Sequence, residues 1–165
     1  MIKFLVMDVD GTLTDGKIYM SNEGELFKVF DIKDGGGIKD ILPTLNIIPV
    51  IITARNSDIL CKRCQDLGID FLYQGFRDKL SKLKEILNEY NDKNYTSFNL
   101  SNVAYIGDDL LDLSCLEAVN KAGGLSACPK NSAKEVINIC KYVCNNNGGA
   151  GAVRELIEYL IDNVN

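Results

Sequence analysis

The chain has 165 residues, of which 46% are hydrophobic and 25% charged; its formal net charge is −5 and it contains no histidine. That length suits a single domain, expected over residues 1–165, and no apolar run approaches membrane-spanning length. No leader-like segment precedes the strand-like run that starts at Ile2, which argues against secretion and for a cytoplasmic setting. The acidic balance argues against nucleic-acid binding, and the lack of histidine excludes every Ser-His or Cys-His mechanism, leaving carboxylate, Lys, Tyr or Cys for proton transfer.

In chain order, Lys3-Phe4-Leu5-Val6-Met7-Asp8 reads as a strand buried on both faces, the kind found in parallel sheets. Lys17 to Met20 and Leu26 to Phe30 flank a polar turn, Ser21 to Glu25, and predict a β-hairpin. Buried strands are predicted at Ile47 to Thr53, Asp70 to Tyr73 and Val103 to Gly107, with a weaker one at Gly124 to Cys128. Leu60, Cys64 and Leu67 fit one helix face; Leu80, Leu83, Leu87 and Tyr90 fit another, with Asp78 as its N-cap. Asp92 to Ser101 reads as a loop and Asn145 to Gly149 as a turn. Val153, Leu156, Ile157, Leu160, Ile161 and Val164 form a final amphipathic helix. This alternation predicts a doubly wound α/β domain with a mainly parallel sheet.

Six cysteines are present. Cys61 and Cys64 form a CxxC, and Cys140 and Cys144 are spaced as one helical turn, so the two pairs could hold zinc; the simpler expectation is small buried hydrophobes.

In an open α/β sheet, ligands bind at the carboxyl ends of the strands. The first strand ends Asp8-Val9-Asp10-Gly11-Thr12, the second buried strand ends Thr53-Ala54-Arg55, and the fourth ends Gly107-Asp108-Asp109 with Asp112 following; Lys79 opens the helix after the third. Two like charges about 4 Å apart cost about 4 kcal/mol at a dielectric typical of a protein surface. Protons or a cation must relieve such a cluster, and hard oxygen donors favour Mg²⁺, which usually works on phosphate. Asp8 is placed to attack phosphorus, Asp10 to protonate the leaving oxygen and then activate water, and Thr53 and Lys79 to bind phosphoryl oxygens.

These residues resemble the four motifs of the haloacid dehalogenase superfamily, in order and spacing. Asp15-Gly16, Tyr19, Phe30 to Gly35, Thr53-Ala54-Arg55, Tyr73-Gln74-Gly75, Asp78-Lys79 and Gly148 to Glu155 further resemble the capless 3-deoxy-D-manno-octulosonate 8-phosphate phosphatases and the related nonulosonate 9-phosphate phosphatases. The resemblance implies a cytoplasmic, Mg²⁺-dependent homotetrameric phosphatase with a hairpin flap. It assigns the metal to Asp8, Asp10 (through its backbone carbonyl) and Asp108, with Asp109 and Asp112 supporting the loop. It assigns substrate contacts to Asp10, Asp31, Ile32, Lys33, Asp34, Gly35, Lys39, Arg55, Arg63 and Lys79, some across a subunit boundary. Two positions depart from the family pattern: Gly36 replaces a large residue and Asp31 replaces a common Asn. The short segment after Arg154 argues against closure of a neighbouring site by a long tail.

No cap insertion follows the first strand or the second, so a neighbour packed on Ile18, Tyr19, Leu26 and Phe27 is the expected cover for the site. Lys33, Lys39, Arg55 and Arg63 could also be plain surface residues, and Gly148, Gly149 and Gly151 could be a helix-entry turn. A phospho-receiver domain carries similar groups, but its phosphorylated Asp ends a middle strand, whereas the middle strands here end in Thr53 and Gln74. The reading from another class is a catalytically idle accessory domain of sugar-nucleotide synthesis, which turnover with Mg²⁺ would exclude.

Overall fold

The structure is a computed structural model that describes residues 1–163. Its centre is a six-stranded sheet in the order β5-β4-β1-β6-β7-β8, and every pairing in it is parallel. The strands are β1 (Phe4–Met7), β4 (Ile48–Ile52), β5 (Phe71–Tyr73), β6 (Val103–Ile106), β7 (Leu125–Cys128) and β8 (Tyr142–Val143). The helices are α1 (Ile32–Gly36), α2 (Asp58–Leu67), α3 (Lys79–Asn94), α4 (Leu113–Ala122), α5 (Lys134–Ile139) and α6 (Ala152–Asn163).

Period-two alternation along the central strands divides the core into two layers. Leu5, Met7, Ala104 and Ile106 face α2 and α6, packing with Leu60, Cys64, Leu156 and Leu160. Phe4, Val6, Val103 and Tyr105 face α3 and α4, packing with Leu83, Leu87, Leu116 and Val119. Both faces of β1 are therefore covered, which explains its unbroken apolar run. Val164, the last residue expected on the α6 face, lies outside the described residues.

The expected hairpin forms as β2 (Tyr19–Ser21) and β3 (Gly24–Phe27). Its turn is tighter than the sequence suggested: Gly24 already pairs with Ser21, at φ +119. Lys28, Val29 and Phe30 leave the ladder. Two further corrections concern local structure, and one segment had no assignment from sequence. Asp92 to Asn94 belong to α3, which ends where Tyr95 turns left-handed at φ 55. Cys140 and Cys144 do not share a helix: Cys140 closes α5 in extended conformation and β8 lies between the two. Residues 32–45 coil through α1, a wide π-type turn (Gly37–Ile41) and a 3-10 turn (Leu42–Leu45), although Gly35-Gly36-Gly37 and Pro43 disfavour helix locally. Burial of Ile38 and Leu42 in the layer beneath α6 supplies the stabilisation that propensity lacks.

Candidate active site

The carboxyl ends of β1, β4, β5 and β6 open onto one cleft of about 260 Å³, lined by Asp8, Asp10, Thr53, Arg55, Lys79 and Asp112 among others. Asp8 stands one residue beyond the last paired residue of β1, its N–H donating to Ile106 O at 3.0 Å. The chain then turns sharply: the N–H groups of Thr12, Leu13 and Thr14 all donate to Val9 O. Gly11 makes this possible by taking φ +95, and a Cβ there would collide with the Asp108 carboxylate. Thr12 Oγ1 in turn donates to Asp108 Oδ1 at 3.2 Å, so the β1 and β6 loops are tied together.

Lys79 is the keystone. Placed at the first position of α3 by the Asp78 cap, it is only 2% exposed. Its Nζ lies 2.6 Å from Asp8 Oδ1 and 2.8 Å from Asp112 Oδ1. Burial alone would depress its pKa, but the two carboxylates outweigh burial and raise it. Asp8 is driven well above the usual carboxylate range by burial and then by the Asp112 charge, with Lys79 pulling the other way. Asp108 is pushed up to about 6, mainly by burial and next by Asp112. Withdrawing the partner of a buried charge costs about 3–5 kcal/mol, so the lysine and the acids hold one another in place.

One oxygen each of Asp8, Asp108 and Asp112 lies within 4.8 Å of the others. Their occupancy separates them. Asp112 Oδ1 accepts from Lys79 and from Tyr105 Oη at 2.7 Å, and its Oδ2 accepts from the N–H groups of Asp108 and Asp109. Asp112 is thus a fully engaged strut, packed where a side chain on Gly107 would collide with it. Among the described residues no N–H, Lys or hydroxyl donor reaches Oδ2 of Asp8 or of Asp108, and these hard donors fit a small divalent cation. The cysteine alternative has no counterpart: all six are free thiols, and among the described residues the carboxylates form the one group of metal-ligand type.

Two residues of this site were not anticipated. Lys28, just past β3, has a side chain only 6% exposed and places Nζ 2.6 Å from Asp10 Oδ1 and 3.0 Å from Glu25 Oε1. Glu25 also accepts from Ser57 Oγ and lies 3.8 Å from Arg55 Nη2, while Arg55 Nε is 4.0 Å from Asp10 Oδ2. The hairpin therefore reaches back into its own cleft and grips Asp10. A lysine in a hairpin reads as solvated, so composition gave no sign of this; the one signal was its position directly after the apolar pair Leu26-Phe27.

The other anticipated contacts do not line this cleft within one chain. Asp31 caps α1 by accepting from Lys33 N at 2.6 Å, and Ile32 and Lys33 are exposed. Lys39 donates to Asp66 O at 2.8 Å. Arg63 lies over the Phe30 ring at 5.6 Å, and its buried Nε has no hydrogen-bond partner among the described residues. Asp34 is buried and accepts from Arg154 N at 2.8 Å, and among the described residues its Oδ2 has no hydrogen-bond donor; burial raises its pKa to about 6. Asp31, Asp34, Gly35 and Arg63 border a hollow of their own. Of the cations Lys33, Lys39, Arg55 and Arg63, only Arg55 joins the acids of the cleft.

A model of the haloacid dehalogenase-like hydrolase family matches residues 38–157. The 3-deoxy-D-manno-octulosonate 8-phosphate phosphatase of Salmonella typhi is 41% identical over 160 residues, covering 97% of this chain and 79% of that protein. The crystal structure of the Yersinia pestis phosphatase of the same name superposes with TM-score 0.87 at 39% identity, over 97% of this chain and 80% of that one. The Moraxella catarrhalis phosphatase, solved with a magnesium ion, a phosphate ion and a KDO molecule, gives TM-score 0.87 at 36% identity, over 98% of this chain and 86% of that one. A likeness that runs through both the loops of the cleft and nearly the whole sheet places this chain among the haloacid dehalogenase-like hydrolases, in the family of the 3-deoxy-D-manno-octulosonate 8-phosphate phosphatases.

Proposed function

We propose that the chain is a Mg²⁺-dependent phosphomonoesterase that hydrolyses 3-deoxy-D-manno-octulosonate 8-phosphate to the free sugar acid and phosphate. The observation that carries this reading is the convergence of Asp8, Asp10, Thr53 and Lys79 on one cleft, with Asp108 against Asp8, in a chain so like those phosphatases. Asp8 attacks phosphorus, and the ester P–O bond breaks as Asp10 passes a proton to the leaving sugar oxygen. Water then attacks the phosphorus of the aspartyl phosphate as Asp10 takes its proton; the bond from phosphorus to the Asp8 oxygen breaks, phosphate leaves and the Asp8 carboxylate is restored. Thr53 and Lys79 bind the phosphoryl oxygens. Asp8, Asp108 and the Asp10 carbonyl would hold Mg²⁺, which when bound supplies positive charge to the acids and to the phosphoryl group.

Asp31, Ile32, Lys33, Asp34, Gly35, Lys39 and Arg63 serve as sugar-reading residues for a site completed by another copy of the chain. The apolar residues of the hairpin support a homotetramer: Ile18, Met20, Leu26 and Phe27 are all at least 44% exposed. Tyr19 contributes less than expected, since its ring stacks on Phe27 at 4.5 Å and its hydroxyl donates to Asp15. Sedimentation that returned a monomer would remove this part of the reading.

The test is phosphate release with Mg²⁺, with and without EDTA, from octulosonate 8-phosphate, nonulosonate 9-phosphates and ordinary sugar phosphates. The expected result is preference for the octulosonate ester, lost with EDTA. Preference for a nine-carbon acid would move the substrate but keep the chemistry. No turnover from folded, metal-loaded protein would favour an idle accessory domain.

A further inference from the structure

Among the described residues, one cation of the cleft makes no ion pair. Lys79 is committed to Asp8 and Asp112. Arg55 leans on Asp10 and Glu25. Arg77 also lines the cleft, yet it is exposed, and among the described residues no carboxylate forms an ion pair with it. Its own neighbour Asp78 is spent on capping α3, accepting from Ser81 N and Oγ.

The backbone around Arg77 is pinned on both sides. Before it, Phe76 N–H donates to Thr53 O at 3.0 Å, and the Phe76 ring lies under Lys82 Nζ at 4.8 Å. After it, α3 begins at Lys79. A side chain is flexible, but a short turn fixed at both ends limits where its guanidinium can reach, and that lowers the entropic cost of engaging a ligand.

Depth separates the two anion sites. Asp8, Thr53 and Lys79, which would take the phosphoryl group, are buried at the cleft floor, whereas Arg77 stands at the exposed rim. A substrate whose phosphate reaches the floor must present the rest of itself at the rim. We propose that Arg77 is a specificity-determining residue that reads the carboxylate of the sugar acid, by the planar, two-point pairing that a guanidinium offers a carboxylate. This rests on the sugar-acid phosphatase reading above and adds to it a residue that discriminates acid from neutral substrates.

The experiment compares wild type, Arg77→Ala and Arg77→Lys on octulosonate 8-phosphate and on arabinose 5-phosphate, which lacks a carboxylate, with inorganic phosphate as a competing product. Charge-assisted contacts of this kind predict a fall of about tenfold in the ratio of the two kcat/KM values for Arg77→Ala, carried by KM for the acid substrate. Arg77→Lys should recover part of that ratio, because it keeps the charge and loses the fork. An unchanged ratio, whether both substrates are hit equally or neither is, overturns the assignment. So does inhibition by inorganic phosphate weakening as much as KM rises, since Arg77 would then read the phosphoryl group. If the wild type itself shows no preference for the acid substrate, the substrate reading fails as well; if it does and Arg77→Ala keeps it, only the role of Arg77 fails.

Discussion

Asp10 shows how a single contact can decide the use of a residue. A carboxylate on an exposed loop turns freely, and one that must meet the leaving oxygen in a narrow geometry gains from being held. Lys28 holds Oδ1 at 2.6 Å and is itself steadied by Glu25, while Oδ2 faces the more distant Arg55 at 4.0 Å. We expect Lys28→Met to lower kcat about tenfold on sugar phosphates, whose leaving oxygen needs a proton. The loss should be smaller on p-nitrophenyl phosphate, whose leaving group does not. Equal losses on both would mean that Lys28 serves the fold and not Asp10. The acids themselves were legible in the sequence because Asp and Gly cluster there without a core use. Lys28 and Glu25 were not, since their role depends on the hairpin folding back over its own strand end.

Among the elements, the parallel strands were readable because each is apolar on both faces, so burial left a continuous run. β8 was missed: with two residues, Tyr142 and Val143, it has no pattern to read. The segment 32–45 was missed for a different reason, since tertiary burial there overrides three consecutive glycines and a proline. Asp34 ties that segment to the start of α6 across 120 residues, through Arg154 N. Its carboxyl is raised from 3.8 to about 6 by burial, so the folded state holds this proton more tightly than the unfolded chain does. For a raised carboxylate, stability is lost as pH climbs from the unfolded pKa through the folded one, and it stays lost above it. The shift corresponds to a penalty of up to about 3 kcal/mol above pH ~6. Asp34→Asn keeps an acceptor for Arg154 N and removes the charge. Urea unfolding should therefore find the variant more stable than wild type at pH 8 and no more stable at pH 4. A variant less stable at both would show that the carboxylate itself holds α6. A buried acid kept at such a cost is consistent with the ligand-reading role proposed for it.

In the whole molecule, strand order explains why the chemistry gathers where it does. β1 lies between β4 and β6, so its carboxyl end meets theirs, and Asp8 falls between Thr53 and Asp108. β5 on the far side of β4 delivers Lys79 across the cleft by way of α3. Four distant stretches of sequence are thereby brought to one edge, and their order along the chain was enough to recognise them. The apolar hairpin and the residues about Asp34 and Arg63 could not be joined to the site in the same way, because their proposed partners belong to another copy. The central claim is that Asp8 carries the phosphoryl group. It is tested most directly by quenching turnover of octulosonate 8-phosphate with borohydride, which reduces an aspartyl phosphate to homoserine, and sequencing the peptides by mass spectrometry. The account predicts homoserine at position 8 in wild type and none in Asp8→Asn; homoserine at another aspartate, with position 8 unchanged, would contradict it.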